Sequence, residues 1–265
     1  MNYKVLCSDL DGTLLSTKND VSQFTIQQIK RIRHAIRIVL VSARMPSSMY
    51  YLQERLGIEN EPIICYNGAL IINAKKEILS VTIPAEVLWK VYEICKSLDV
   101  DLGVYIDDSW FVPKTSDRVQ KEIHHTKTEP IFEPTSYTLT HLKQRGAHKV
   151  MLMCKKDSAD ELMPQLKNRF ERDLNIYRSN STLIEIGPKS VSKRTAIEHI
   201  LLPGQNLNDI IAFGDNYNDI EMMQAAGCSV AVANARTEVK AIADQITLAN
   251  TDHGVADFIQ QHLVI

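Results

Sequence analysis

The chain has 265 residues, 45% hydrophobic and 23% charged, enough to bury a sizeable core as one large domain or two modest ones. A formal net charge of −2 gives no electrostatic reason to expect nucleic-acid or anionic-membrane binding, and no apolar stretch is long enough to span a bilayer as a helix. Cys7, Cys65, Cys95, Cys154 and Cys228 are scattered and mostly inside apolar runs, which reads as reduced core thiols and not as a disulfide framework or a zinc site.

Met1-Asn2-Tyr3-Lys4 leads straight into the apolar run Val5-Leu6-Cys7, with nothing before it that reads as a signal peptide, so a cytoplasmic location is expected. The run reads as a buried parallel strand ending in Asp9-Leu10-Asp11-Gly12-Thr13-Leu14. Residues 25–36 carry a helical stripe at Ile29, Ile32 and Ile36. Ile38-Val39-Leu40-Val41 is the next buried strand and ends in Ser42-Ala43-Arg44. Pro46 and Ser47 then open a helix that runs through Leu56 and closes at Gly57. Pro62-Ile63-Ile64-Cys65-Tyr66 is a third strand, Asn67-Gly68 a turn, and residues 69–73 and 77–83 a hairpin. Strands alternating with helices predict an α/β fold, an open parallel sheet covered on both faces.

From Pro84 the rhythm changes. A helix at 85–98, a hairpin of 102–106 and 110–112, a strand at 149–154 and a helix at 157–170 precede two short strands at 176–178 and 183–186. Residues 126–144 are polar and proline-containing and show the least pattern. The parallel-sheet pattern resumes after Gly187-Pro188, with a strand at 210–213, a helix at 220–226 and a strand at 229–233. The expected organisation is a Rossmann-like parallel-sheet core of residues 1–83 and 188–265 with an inserted α+β domain at 84–187.

In open α/β sheets ligands sit beyond the carboxyl ends of strands, and each conspicuous polar cluster here follows a strand end. Asp9 and Asp11 concentrate negative charge before a glycine turn, and a hard oxygen site of that kind suits Mg²⁺; an Asp-rich turn is the plain alternative. At Ser42 a hydroxyl and neighbouring N–H groups can hold phosphate oxygens, unless it is an ordinary helix cap. Gly214-Asp215-Asn216-Tyr217-Asn218-Asp219 offers two carboxylates and amide donors at a strand-to-helix turn, where an Asx-rich cap is the plain alternative. Lys193 sits just before a helix at 196–202, where a lysine works against the dipole, and Lys189 competes with it for the same role.

These segments resemble the motifs of the haloacid dehalogenase (HAD) superfamily in the form used by Cof-type phosphatases, with the insertion where that family carries its C2-type cap. The resemblance implies that Asp9 is the nucleophile and Asp11 the general acid/base, at a position where transport ATPases carry Thr. It implies that Lys193 completes the catalytic set, and that Mg²⁺ is held by the carboxylates of Asp9 and Asp215 with the backbone carbonyl of Asp11. Asp219 would fix the metal's water shell or the lysine, and Leu10, Ser42, Ala43, Lys193 and Asn218 would hold the phosphate. Two positions depart from the pattern: Ala43 replaces the glycine of the usual Thr-Gly-Arg triplet and Arg194 replaces the usual glycine after the lysine. Asn67 matches another recurrent Cof-type segment, although its turn-forming role accounts for it fully.

The implied activity is a Mg²⁺-dependent phosphatase acting on small phosphorylated metabolites, such as sugar phosphates, through an aspartyl-phosphate. The implied partner is a small-molecule phosphate ester, without nucleic acid or membrane, and the chain is expected as a monomer or weak homodimer. A phosphomutase or phosphotransferase is the alternative, because phosphomannomutases share the superfamily and a similar cap. A non-catalytic metabolite sensor is a third reading, against which the joint presence of Asp9, Asp11, Lys193 and Asp215 argues. Tyr105, Asp107, Trp110 and Glu185 are candidate cap contacts with equally good structural readings, and the spacing of His124, His125 and His141 does not suggest a metal cage.

Overall fold

β1 (Val5–Ser8) is buried along its whole length and pairs in parallel on both sides, so its apolar run has no solvent face to alternate with. The computed structural model describes residues 3–17 and 20–263; Met1 and Asn2, read as the run into β1, lie outside the described residues. After β1 come α1 (Gln23–Ile32), β2 (Arg37–Val41), α2 (Ser47–Leu56), β3 (Ile63–Cys65), β4 (Leu70–Asn73) and β5 (Lys76–Ser80). Ser22 starts α1 by accepting the Thr25 N–H at 3.0 Å, and Ile26, Ile29 and Ile32 form its buried stripe. The helix stops short of Ile36 because the Ala35 N–H turns back only three residues, to the Ile32 carbonyl, and the Arg37 N–H goes to the Lys4 carbonyl beside β1. Gly57, at φ +70°, closes α2 in the left-handed conformation that a side chain would resist.

The chain divides into two compact units, Met1–Leu79 with Ser192–Ile265, and Ser80–Val191. The second unit contains α3 (Ala85–Cys95), β6 (Asp101–Ile106), β7 (Ser109–Val112), α4 (Asp117–Thr126), β8 (Ile131–Phe132) and α5 (Thr135–His141). It continues through β9 (Lys149–Met153), α6 (Lys156–Phe170), β10 (Leu174–Asn180) and β11 (Leu183–Pro188). Its sheet runs β10-β11-β9-β6-β7-β8, antiparallel except where β8 joins β7. One face, with Val104, Val150 and Ile184, packs against Leu88 and Val91 of α3, Leu139 of α5 and Leu162 and Leu166 of α6. On the other face Tyr105 stacks on Trp110 with ring centroids 5.5 Å apart, and the Lys149 ammonium lies 4.4 Å from the Tyr105 ring.

The first unit resumes with α7 (Lys193–His199), β12 (Ile210–Gly214), α8 (Ile220–Ala225), β13 (Cys228–Val232), α9 (Thr237–Ile242), β14 (Gln245–Thr247) and α10 (Gly254–His262). Its sheet order is β14-β13-β12-β1-β2-β3-β4-β5, parallel from β14 to β3 and antiparallel at β3–β4. The fold is therefore α/β with a doubly wound parallel core. Among the described residues the cysteines form no disulfide, and no helix is long and apolar enough to cross a membrane.

Candidate active site

The strand order sets the site before any side chain is considered. From β1 the chain steps to β2 on one side, whereas from β12 it steps to β13 on the other, so the winding reverses between β1 and β12. A crevice opens at such a reversal, beyond the carboxyl ends of the strands. Asp9 follows β1, Asp215 follows β12, Ser42 follows β2, and Asn67 stands two residues beyond β3. The Asp9 N–H donates to the Phe213 carbonyl at 3.1 Å, which ties the first two strand ends together.

Residues Leu10–Leu14 leave β1 in one wide turn, with the Leu14 N–H on the Asp9 carbonyl and the Leu15 N–H on that of Leu10. Gly12 is required twice. Its φ is +86°, and a Cβ there would stand 2.6 Å from Asp215 Oδ2. The same turn brings Thr13 Oγ1 to donate to Asp215 Oδ1 at 3.1 Å.

Lys193 opens α7 directly, three residues earlier than the helix read from the sequence. A capping box explains the early start: Ser192 Oγ accepts the Thr195 N–H and Thr195 Oγ1 accepts the Ser192 N–H. The Lys193 side chain is wholly buried, and its ammonium donates to Asp9 Oδ1 at 2.5 Å and to Asp219 Oδ1 at 2.6 Å. Burial works against the ammonium, but Asp219 and Asp9 outweigh it and raise its pKa, so Lys193 stays charged. Lys189, the rival candidate, is exposed and belongs to the other unit.

Asp219 is fully buried and has both oxygens engaged. Oδ1 meets Lys193, and Oδ2 accepts the N–H groups of Asp215 and Asn216 at 3.0 Å each. It fastens the lysine to the turn after β12. Burial, then the Asp219 and Asp215 carboxylates, push the Asp9 carboxyl well above the ordinary range, while Lys193 pulls it down. Burial and Asp219 together raise Asp215 to about 6.

Carboxylate oxygens of Asp9, Asp215 and Asp219 come within 4.8 Å of one another. Asp9 Oδ2 and Asp215 Oδ2 have no protein donor among the described residues. Hard oxygens with spare lone pairs, in a cluster where Asp9, Asp215 and Asp219 have Lys193 as their ion-paired cation among the described residues, fit a divalent cation.

Asp11 turns away from that cluster. Its side chain is 51% exposed, and Arg44, 4% exposed, grips it through Nε to Oδ2 at 2.8 Å and Nη2 to Oδ1 at 2.7 Å. Burial opposes the guanidinium charge, yet Asp11 and Tyr51 hold its pKa above the usual arginine value. Arg44 is absent from the site expected from the sequence; its signal was its place as the last residue of the Ser42-Ala43-Arg44 triplet. Ser42 is buried and its Oγ accepts the Arg44 N–H at 3.3 Å, leaving the hydroxyl proton to donate elsewhere. Leu10 buries its side chain completely, so only its backbone can meet a ligand, and Ala43 is half-buried. Asn218 Nδ2 donates to Asn67 Oδ1 at 3.0 Å, so a turn-forming role does not account for the Asn67 side chain.

Within the second unit, Tyr105 and Trp110 are buried on the sheet face opposite the helices. Asp107 is ion-paired with Arg145, and Glu185 accepts a hydrogen bond from Ser179 Oγ at 2.9 Å. His124 and His125 close α4 against each other and His141 lies against Tyr137; among the described residues none joins a metal-binding group.

The family model for haloacid dehalogenase-like hydrolases matches residues 6–259, and the chain belongs to that family. Pyridoxal phosphate phosphatase YbhA of Escherichia coli is 27% identical, with 100% of each chain covered. 5-Amino-6-(5-phospho-D-ribitylamino)uracil phosphatase YitU of Bacillus subtilis is 28% identical over 97% of each. The crystal structure of a haloacid dehalogenase-like hydrolase from Bacteroides thetaiotaomicron is 29% identical and superposes with a TM-score of 0.88, covering 98% of this chain and 99% of that one.

Proposed function

We propose that this hydrolase is a Mg²⁺-dependent phosphatase of small phosphorylated metabolites that works through an aspartyl-phosphate on Asp9. The observation that carries the reading is the buried Lys193 ammonium. It holds one oxygen of Asp9 and leaves the other without a protein donor among the described residues, and Asp215 brings a second carboxylate with one such oxygen to the same cluster. A nucleophile needs that arrangement: a fixed carboxylate with one lone pair unspent.

Asp9 Oδ2 attacks phosphorus in line, and the bond from phosphorus to the ester oxygen breaks as the new one forms. Asp11 is half-exposed and held in place by the Arg44 clamp, and from that position it protonates the departing alkoxide. Asp11 then takes a proton from the water that attacks the aspartyl-phosphate, releasing inorganic phosphate and restoring Asp9. The Ser42 hydroxyl, the Leu10 and Ala43 backbone N–H groups, Lys193 and the Asn218 amide hold the phosphate oxygens. Asp9, Asp215 and the Asp11 backbone carbonyl would hold Mg²⁺, which supplies charge neutralisation for a dianionic ester. The esters in the names of the E. coli and B. subtilis relatives, phosphates of small organic molecules, support that substrate class.

The test is inorganic phosphate release from a panel of phosphorylated metabolites, with Mg²⁺ or with EDTA. Wild type should release phosphate only with the ion, and Asp9→Asn should fold normally while losing turnover by on the order of 10³-fold or more. Wild-type turnover in Asp9→Asn would overturn the assignment.

A further inference from the structure

We propose that Asn67 is a positioning residue for phosphate, acting by orienting the Asn218 amide; the proposal rests on the phosphatase reading above. Tyr66, Asn67 and Gly68 take positive φ in succession, at +52°, +55° and +109°. A left-handed aromatic residue is costly, and such backbone persists only where the surroundings enforce it. Three neighbours do so here. The Asn67 N–H donates to the Ser42 carbonyl at 2.9 Å, and the Tyr66 N–H donates to the Arg44 carbonyl at 3.1 Å. On the other side the Ser192 carbonyl sits where a Cβ on Gly68 would stand, so only glycine lets the start of α7 approach. One turn therefore touches the Ser42 strand end and the helix start that carries Lys193.

Backbone needs are met without the Asn67 side chain, because glycine adopts φ +55° more readily than asparagine. Its Oδ1 is spent on Asn218 Nδ2, at 3.0 Å. Accepting one hydrogen of that amide fixes its plane, so the second Nδ2 hydrogen has a set direction in the free enzyme. Binding then loses less rotational freedom in a donor already aimed, the usual benefit of preorganisation. An oriented donor to phosphate helps substrate and inorganic phosphate alike, so the effect belongs in KM and in product inhibition more than in kcat.

The test is a double-mutant cycle of Asn67→Gly, Asn218→Ala and the pair, read as KM, kcat and inhibition by inorganic phosphate with Mg²⁺ present. Asn67→Gly keeps the backbone and removes the amide. It should raise KM and the inhibition constant for phosphate by roughly fivefold to tenfold, the worth of one hydrogen bond. The kcat should move by less than about twofold, and in the Asn218→Ala background the added substitution should have no further effect. If Asn67→Gly matches wild type while wild type hydrolyses esters and Asp9→Asn does not, the inference falls and the phosphatase reading stands. Additive effects of the two substitutions would also sink it, since Asn67 would then act independently of Asn218. If wild type hydrolyses nothing in the panel, both fall.

Discussion

Replacing Lys193 by Met tests the electrostatic logic of the whole site. The methionine keeps most of the buried volume, so the change removes charge without opening a large cavity. It leaves Asp9, 6% exposed, and Asp219, fully buried, facing each other with no counter-charge. Breaking a buried ion pair from one side costs about 3–5 kcal/mol. In a chain of this size that lowers the melting midpoint by roughly 6–20 °C.

The loss should depend on pH in a definite direction. Without Lys193, burial and the neighbouring carboxylates raise the Asp9 carboxyl still further above its unfolded value. A group whose folded pKa is raised stabilises the fold while it is protonated, and that contribution disappears as pH rises through the folded pKa. Lys193→Met should therefore be closest to wild type near pH 5 and furthest from it near pH 8. Thermal melts in EDTA at the two pH values measure this, and Mg²⁺ at pH 8 should restore part of the difference by supplying the missing positive charge. A variant that melts with wild type in EDTA at pH 8 would refute the argument, since the ammonium would then carry no structural charge balance.

Two further outcomes follow from pairings outside that cluster. Arg44→Ala frees Asp11 from its bidentate clamp, so the loss should fall on esters with alkyl leaving groups, roughly tenfold or more, while p-nitrophenyl phosphate, which needs little protonation, stays within about threefold; equal loss on both ester types would remove Arg44 from the acid step. In the inserted unit His148 Nδ1 accepts the Asp107 N–H and Nε2 faces Ser80 Oγ, both at 3.0 Å, so the imidazole is held neutral. Burial, with Arg145, lowers its pKa to about 4 against the pull of Asp107. The unfolded chain takes up that proton near pH 6.5, so stability should fall by up to about 3 kcal/mol between pH 6.5 and 4, and His148→Gln should flatten that part of the urea-midpoint profile. An unchanged slope in the variant would show that His148 is not the group responsible.

The core strands were legible in the sequence because β1, β2 and β12 are apolar runs with no solvent face, each ending abruptly in polar residues. α4 was not. It buries only Val119 and Thr126, and so lacks the broad apolar stripe that periodicity detects, although Ser116 caps it by accepting the Val119 N–H. β8 is two exposed residues paired at a sheet edge, Ile131 and Phe132, which leave no local signature. α10 was also passed over, with Val255, Ala256, Phe258 and Ile259 all buried, because His253 leads into it in a left-handed conformation and offers no side-chain cap.

The site was legible as a set of residues but not as a set of pairings. Strand-end position gives Asp9, Asp11, Asp215 and Asp219 equal claims on a cation. Hydrogen bonds across the fold divide them. Asp219 gives both oxygens to Lys193 and the backbone, Asp11 gives both to Arg44, and Asp215 gives one to Thr13. Subtracting those bonds leaves Asp9 Oδ2 and Asp215 Oδ2, which belong to the two strands where the winding reverses. The place proposed for the cation is thus the remainder after protein donors have taken what they can reach. That remainder depends on contacts between residues some two hundred positions apart, and no local pattern encodes it.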